Sequence, residues 1–144
     1  MEKFDALKLE NQLCFSLYAL SREVIKMYKP LLDPFDLTYT QYIVMLVMWE
    51  EEKIKFKDLG KRLYLDSGTL TPVLKKLESK GYVTKYRNKE DDRVVTVELT
   101  NSGRELKEKM MDIPAKMYRS YNGDEETLLV LKKHLDELLK GKKE

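Results

Sequence analysis

The chain carries one cysteine, Cys14, and no other residue offers as much chemistry. A thiolate is a nucleophile that peroxides oxidise to a sulfenic acid. With no second cysteine, an internal disulfide and a cysteine-based zinc site are both excluded. A lone cysteine is more often an inert packing residue than a sensor, so its surroundings decide. Here they are polar and aromatic: Asn11, Gln12, Phe15 and Tyr18. Cys14 falls in the N-terminal half of a predicted helix, where the dipole favours an anion. Tyr18 follows one turn later on the same face. Other chemistry is sparse. His134, the single histidine, lies on the predicted last helix, and there is no phosphate-binding glycine loop, paired metal-ligand set or Ser-His-Asp arrangement. We expect no enzyme, no cofactor and no metal site.

A second group of residues suits a polyanion. Residues 53–100 hold 12 Lys and Arg against 7 Asp and Glu, a net of +5, while the other 96 residues carry −3. Within this basic centre, Ser67, Thr69 and Thr71 open a predicted helix with short hydroxyl side chains. Lys75 and Lys76 follow about a turn later. In a helix-turn-helix such N-terminal residues meet base edges and such lysines meet phosphates. Arg93 is placed for a narrow minor groove, and Lys85, Arg87 and Lys89 for flanking phosphates. Lys75, Lys76 and Lys80 are also what any solvated helix face carries; the helix spacing and the following hairpin favour double-stranded DNA as partner.

The elements that must position these groups read clearly. Leu9, Leu13, Leu17, Leu20 and Val24 predict an amphipathic helix over residues 6–28. Pro30 and Pro34 bracket a connector. Thr38 and Gln41 form a capping box, and Tyr42 to Trp49 reads as a buried helix. Phe56 to Leu63 is a short helix. The next starts at Asp66 or Ser67, buries Leu70, Val73, Leu74 and Leu77, and ends at Gly81. Strands over Tyr82–Arg87 and Arg93–Leu99 flank a polar loop, Asn88–Asp92, that can project as a wing. Thr100 caps a helix over Asn101–Tyr121, Asn122-Gly123-Asp124 breaks it, and Leu128, Leu131, Leu135 and Leu138 mark a last helix. The expected fold is mainly α with a small β-hairpin: a winged helix-turn-helix in one domain, 1–144. Its DNA-binding module is 53–100. Helices 6–28 and 101–140 have apolar faces but no core of their own, so they are expected to pair with a second copy as a homodimer. The N-terminus lacks a secretory h-region, and Tyr42–Trp49 is too short to span a bilayer. A reducing cytoplasm is expected, without membrane attachment.

The stretch Asp91-Asp92-Arg93-Val94-Val95-Thr96-Val97-Glu98-Leu99-Thr100-Asn101-Ser102-Gly103 resembles the wing signature of the multiple-antibiotic-resistance regulator family, in which Asp91 is a structural wing residue. Leu9 to Phe15, Thr38 to Tyr42 and Tyr64 to Pro72 resemble its organic-hydroperoxide resistance regulator branch, one-cysteine type. The resemblance implies a dimeric repressor on a pseudo-palindromic operator, released when its N-terminal cysteine is oxidised. It also implies that tyrosines hold that cysteine, here Tyr28 and Tyr39. Organic hydroperoxide and a small cellular thiol would be the reactants. Helix geometry adds a constraint: Cys14 and Tyr28 point within about 40° of each other but lie about 21 Å apart along one axis. A site made of both would be shared between two chains. Two other inputs to the same fold stay open, a small aromatic ligand and a thiolation signal independent of peroxide. A one-cysteine thiol peroxidase would be expected to show a Thr-x-x-Cys arrangement, which is missing.

Overall fold

The computed structural model describes residues 2–142. Two compact units divide the chain, one ending at Ile113 and the other starting at Pro114. The first holds the three-stranded sheet, the first five α-helices and almost all of the buried core.

The first helix departs from the expected 6–28. Two short 3-10 turns, Asp5–Leu7 and Leu9–Asn11, precede α1, Leu13–Leu32. The cause is local competition for backbone partners. The Gln12 amide donates to the carbonyls of Ala6 and Lys8 at 2.7 and 2.8 Å, and Asn11 donates to Asp5 at 2.7 Å. At the other end α1 runs through Pro30, which the sequence placed in a connector. The helix ends instead where Leu32 enters the core at 1% exposure. A 3-10 turn, Asp33–Phe35, and left-handed Asp36 (φ 54°) lead into α2, Tyr39–Glu51. The Thr38–Gln41 capping box forms in both directions. Tyr42, Val44, Met45, Val47 and Met48 of α2 are the centre of the core.

A strand the sequence did not reveal follows. β1, Lys53–Lys55, pairs antiparallel with the second hairpin strand, Ile54 opposite Val97. Three residues carry no periodicity; the partner makes the strand. Next come α3, Phe56–Leu63, and α4, Ser67–Ser79, joined through left-handed Tyr64. The turn is tight because Gly60 lacks a side chain: a Cβ there would lie 2.9 Å from the Leu65 carbonyl. Asp66 is the cap, accepting from the Thr69 N–H at 2.8 Å, and Leu70, Leu74 and Leu77 are fully buried. Gly81 (φ 80°) turns the chain into β2, Val83–Arg87, which pairs with β3, Val95–Leu99. The sheet order is β1-β3-β2. Both hairpin strands are shorter than expected, so Tyr82, Arg93 and Val94 lie outside them.

The predicted helix over Asn101–Tyr121 is two helices, α5, Asn101–Met110, and α6, Ile113–Ser120. Pro114 has no N–H for the Met110 carbonyl, which removes the bond that would continue α5. In the second unit, Asp124 caps α7, Glu125–Lys140, by accepting from Thr127 at 2.7 Å.

Candidate functional site

Two groups of side chains stand out on the first unit. The first lies along α4 and the hairpin. Ser67, Thr69, Thr71, Lys75 and Lys76 are all exposed. Thr71 uses its hydroxyl proton on the Ser67 carbonyl at 2.7 Å, so towards a ligand it can only accept. Asp66 is held below the ordinary carboxylate range, first by the Thr69 backbone N–H. In the loop, Asp91 grips Arg93 through Nε at 3.0 Å, Nη2 at 3.1 Å and the backbone N–H at 3.1 Å. That bidentate ion pair draws the Asp91 carboxyl down. It also sets the direction of Arg93, whose side chain remains 87% exposed. Arg87 is partly occupied, donating to the Asp92 carbonyl at 2.7 Å. Lys85 sits with Nζ 5.3 Å from the Phe56 ring centre, a cation–π position on the α3 side. Lys89 is exposed in the loop.

The wing is fastened at its base by a joint built on Thr100 and Gly103, two residues of the sequence signature. Thr100 Oγ1 donates to the Gly81 carbonyl at 2.6 Å and accepts from the Gly103 N–H at 3.1 Å. The Thr100 N–H reaches the Tyr82 carbonyl at 3.1 Å. The Trp49 indole donates to the Gly103 carbonyl at 2.8 Å. One threonine and one glycine thus tie together the end of α4, the start of β2, α2 and α5.

The second group comprises Cys14 and the tyrosines of α1 and α2. Cys14 is exposed at the second position of α1. Tyr18 is also exposed, and its hydroxyl accepts from Arg22 at 3.2 Å with the guanidinium over its ring. Tyr28 and Tyr39 do meet each other: their ring centres are 4.8 Å apart, and 5.6 and 6.4 Å from Tyr42, which touches Trp49 at 6.4 Å. Burial, and then Tyr39, push the Tyr42 hydroxyl up. Cys14 and Tyr28 share one continuous α1, which separates them by about 21 Å along the axis. Within one chain the structure therefore assembles the tyrosine pair but leaves the thiol apart from it.

Three side chains with evident structural work went unnoticed in the sequence. Lys80, expected on a solvated face, is bonded to Asp36. Trp49 supplies the bond to Gly103. Lys53 lies 3.6 Å from Glu98, which also accepts from the Tyr86 hydroxyl at 2.9 Å. Of the joint at the wing base, Thr100 and Gly103 left a trace beforehand, as members of the wing signature.

Residues 26–110 match the family described as transcriptional regulator SarA/Rot. The organic hydroperoxide resistance transcriptional regulator of Bacillus subtilis is 52% identical over 137 residues, 95% of this chain and 93% of its own. The chain belongs to the organic-hydroperoxide resistance branch of the multiple-antibiotic-resistance regulator family. The SarZ regulator of Staphylococcus saprophyticus is 47% identical over 127 residues, covering 88% of this chain and 87% of that one. A structure of reduced AbfR bound to DNA superposes with TM-score 0.78 at 37% identity, over 96% of each chain. The protein is thus a winged-helix, DNA-binding transcription regulator, and not an enzyme. Among the described residues, no helix is long and apolar enough to cross a membrane.

Proposed function

We propose that the chain is a cytoplasmic, homodimeric repressor that leaves its operator when an organic hydroperoxide oxidises Cys14. The observation that carries this is the split site: an exposed thiol at one end of α1, and a tyrosine pair nearly four turns away at the other. Two α1 helices packed antiparallel about a two-fold axis bring each sulfur to the other chain's Tyr28 and Tyr39. The surface supports such packing. Leu13, Leu17, Leu20 and Ile25 on α1 are 36 to 66% exposed. On α7, which has no buried residue, Leu131 and Leu138 are 41 and 58% exposed. Contiguous apolar stripes of this kind mark interaction faces, and a second copy is the simplest cover.

In the shared site the tyrosine hydroxyls of one chain donate to the thiolate of the other, with Tyr18 and Phe15 as aromatic neighbours of the sulfur. The thiolate attacks one peroxide oxygen. An S–O bond forms, the O–O bond breaks, and the departing alkoxide takes a proton to become an alcohol, leaving Cys14 as a sulfenic acid. Having no second cysteine, the sulfenic acid then condenses with a small cellular thiol, forming a mixed disulfide and water. The adduct forces Tyr28 and Tyr39 from their places.

On DNA, Ser67, Thr69 and Thr71 meet base edges in the major groove, and Lys75 and Lys76 meet phosphates. Arg93, oriented by Asp91, enters the minor groove. Lys85, Arg87 and Lys89 lie along the flanking backbone. Two such heads read the half-sites of a pseudo-palindromic operator at a fixed spacing, so a small rotation of one head costs affinity. The test is an operator titration with and without cumene hydroperoxide plus thiol, for the native chain and Cys14→Ser. Treated native protein should bind at least about a hundredfold more weakly, some 2.7 kcal/mol, and Cys14→Ser should be unchanged. Undiminished affinity with the adduct on Cys14, seen by mass spectrometry, contradicts the switch.

A further inference from the structure

Lys80 is the C-cap of α4, the helix that carries the DNA-reading hydroxyls. Its ammonium donates to the Asp36 carbonyl and lies 3.3 Å from Asp36 Oδ2. The Lys80 side chain is only 23% exposed, whereas Lys75 and Lys76, about a turn earlier, stand in solvent. Asp36 occupies a constrained place. Its left-handed φ of 54° suits a residue with a short polar side chain. Its N–H bonds the Asp33 carbonyl at 3.0 Å, and Leu37 bonds Leu32 across the same turn at 3.4 Å. Leu32 and Leu37, on either side, are 1% and 5% exposed. The turn is therefore pinned to the ends of α1 and α2 and moves with them. Tyr28 lies on the last turns of α1, and Tyr39 opens α2. The short segment between the two rings is the segment that the end of α4 holds.

We infer that Lys80 is a positioning residue that couples the Tyr28–Tyr39 pair to the recognition helix through Asp36. The inference rests on the sensing function proposed above. A displaced ring pair shifts the Asp33–Thr38 turn, and the ammonium carries that shift to the end of α4. α2 also packs against α4 through the core, and Trp49 reaches the Gly81 end of α4 through Gly103 and Thr100; Lys80 is the polar tie that leaves the turn between the two rings itself.

The test uses the full chain with Lys80→Met and Lys80→Arg, and Lys80→Gln if the methionine variant fails to fold, as judged by its melting temperature. Operator affinity is measured before and after oxidation of Cys14, with the adduct followed by mass. Oxidation should weaken the native protein by at least about a hundredfold, as above, and Lys80→Met by less than about tenfold, within the usual range of coupling between sites. The rate of Cys14 oxidation should be the same in both, and Lys80→Arg should restore most of the response. A full native-sized response in Lys80→Met overturns the link. If oxidation leaves even the native affinity unchanged, the sensing function fails, and the link is then read without peroxide. Tyr39→Ala and Lys80→Met, singly and together in the reduced protein, should combine non-additively by at least about threefold in operator affinity. Additive effects overturn the coupling.

Discussion

Gly103 has no room for a methyl group. A Cβ there would stand 2.4 Å from the Tyr82 carbonyl and 2.5 Å from Leu99 Cδ1. The carbonyl is backbone and accepts the Thr100 N–H, so it cannot retreat cheaply. Gly103→Ala should lose about 1–3 kcal/mol, the usual cost of overpacking, read as a lower urea midpoint. The charged loop makes a different prediction. Arg93, through its guanidinium and then its backbone N–H, holds Asp91 below the ordinary 3.8. A carboxyl depressed on folding contributes stability above its unfolded value and loses it as pH falls through the folded one. The wing clamp should therefore be intact at neutral pH and open only below about pH 3.8. Carboxyl NMR should show Asp91 titrating below an ordinary aspartate, and Arg93→Ala should move it back up. An unshifted Asp91 in the native chain would refute the clamp. At this scale the sequence was partly legible: the caps Thr38, Asp66 and Thr100 announced themselves by type and spacing. Lys80 did not, because its partner is 44 residues away and local charge patterns cannot register that.

Among the elements, α4 carries the strongest prediction. If Lys75 and Lys76 meet phosphates, replacing either by alanine should weaken binding to all sequences alike and lower the salt slope of log affinity by about 1. Thr69→Ala should instead change discrimination between operators while leaving that slope in place. Equal salt slopes for all three variants would remove the lysines from the interface. The helices of this module were readable because apolar periodicity and caps are local signals. β1 was not, since a strand of three residues exists only through its pairing with β3. The true start of α1 was hidden for a related reason: the leucine spacing continued through a stretch where the Asn11 and Gln12 side chains take the backbone bonds. Pro114 was the overlooked sign of the break between α5 and α6.

For the whole molecule, the exposed apolar stripes on α1 and α7 are the largest departure from what a lone chain in water would show. Placing a charge in the α1 stripe, as in Leu17→Glu, should shift the protein toward monomer in sedimentation. Operator affinity should fall with it, because one head alone reads a single half-site. A dimer of undiminished stability would place the interface elsewhere. Fold and partner class were evident from the sequence at this scale. The two-chain site is the proposal above, raised by helix length; Tyr28 and Tyr39 were named by the family resemblance, and their ring contact comes from the fold bringing α1 and α2 together.

The most direct measurement uses a mixed dimer, with Cys14→Ser in one chain and Tyr39→Phe in the other. It contains one Cys14 thiol, which belongs to the chain lacking the Tyr39 hydroxyl. If each thiol is held by its partner's tyrosines, that sulfur meets an intact Tyr39 and should react with cumene hydroperoxide at the native rate. If it reacts as slowly as the Tyr39→Phe homodimer, the site lies within one chain and the two-chain account is wrong.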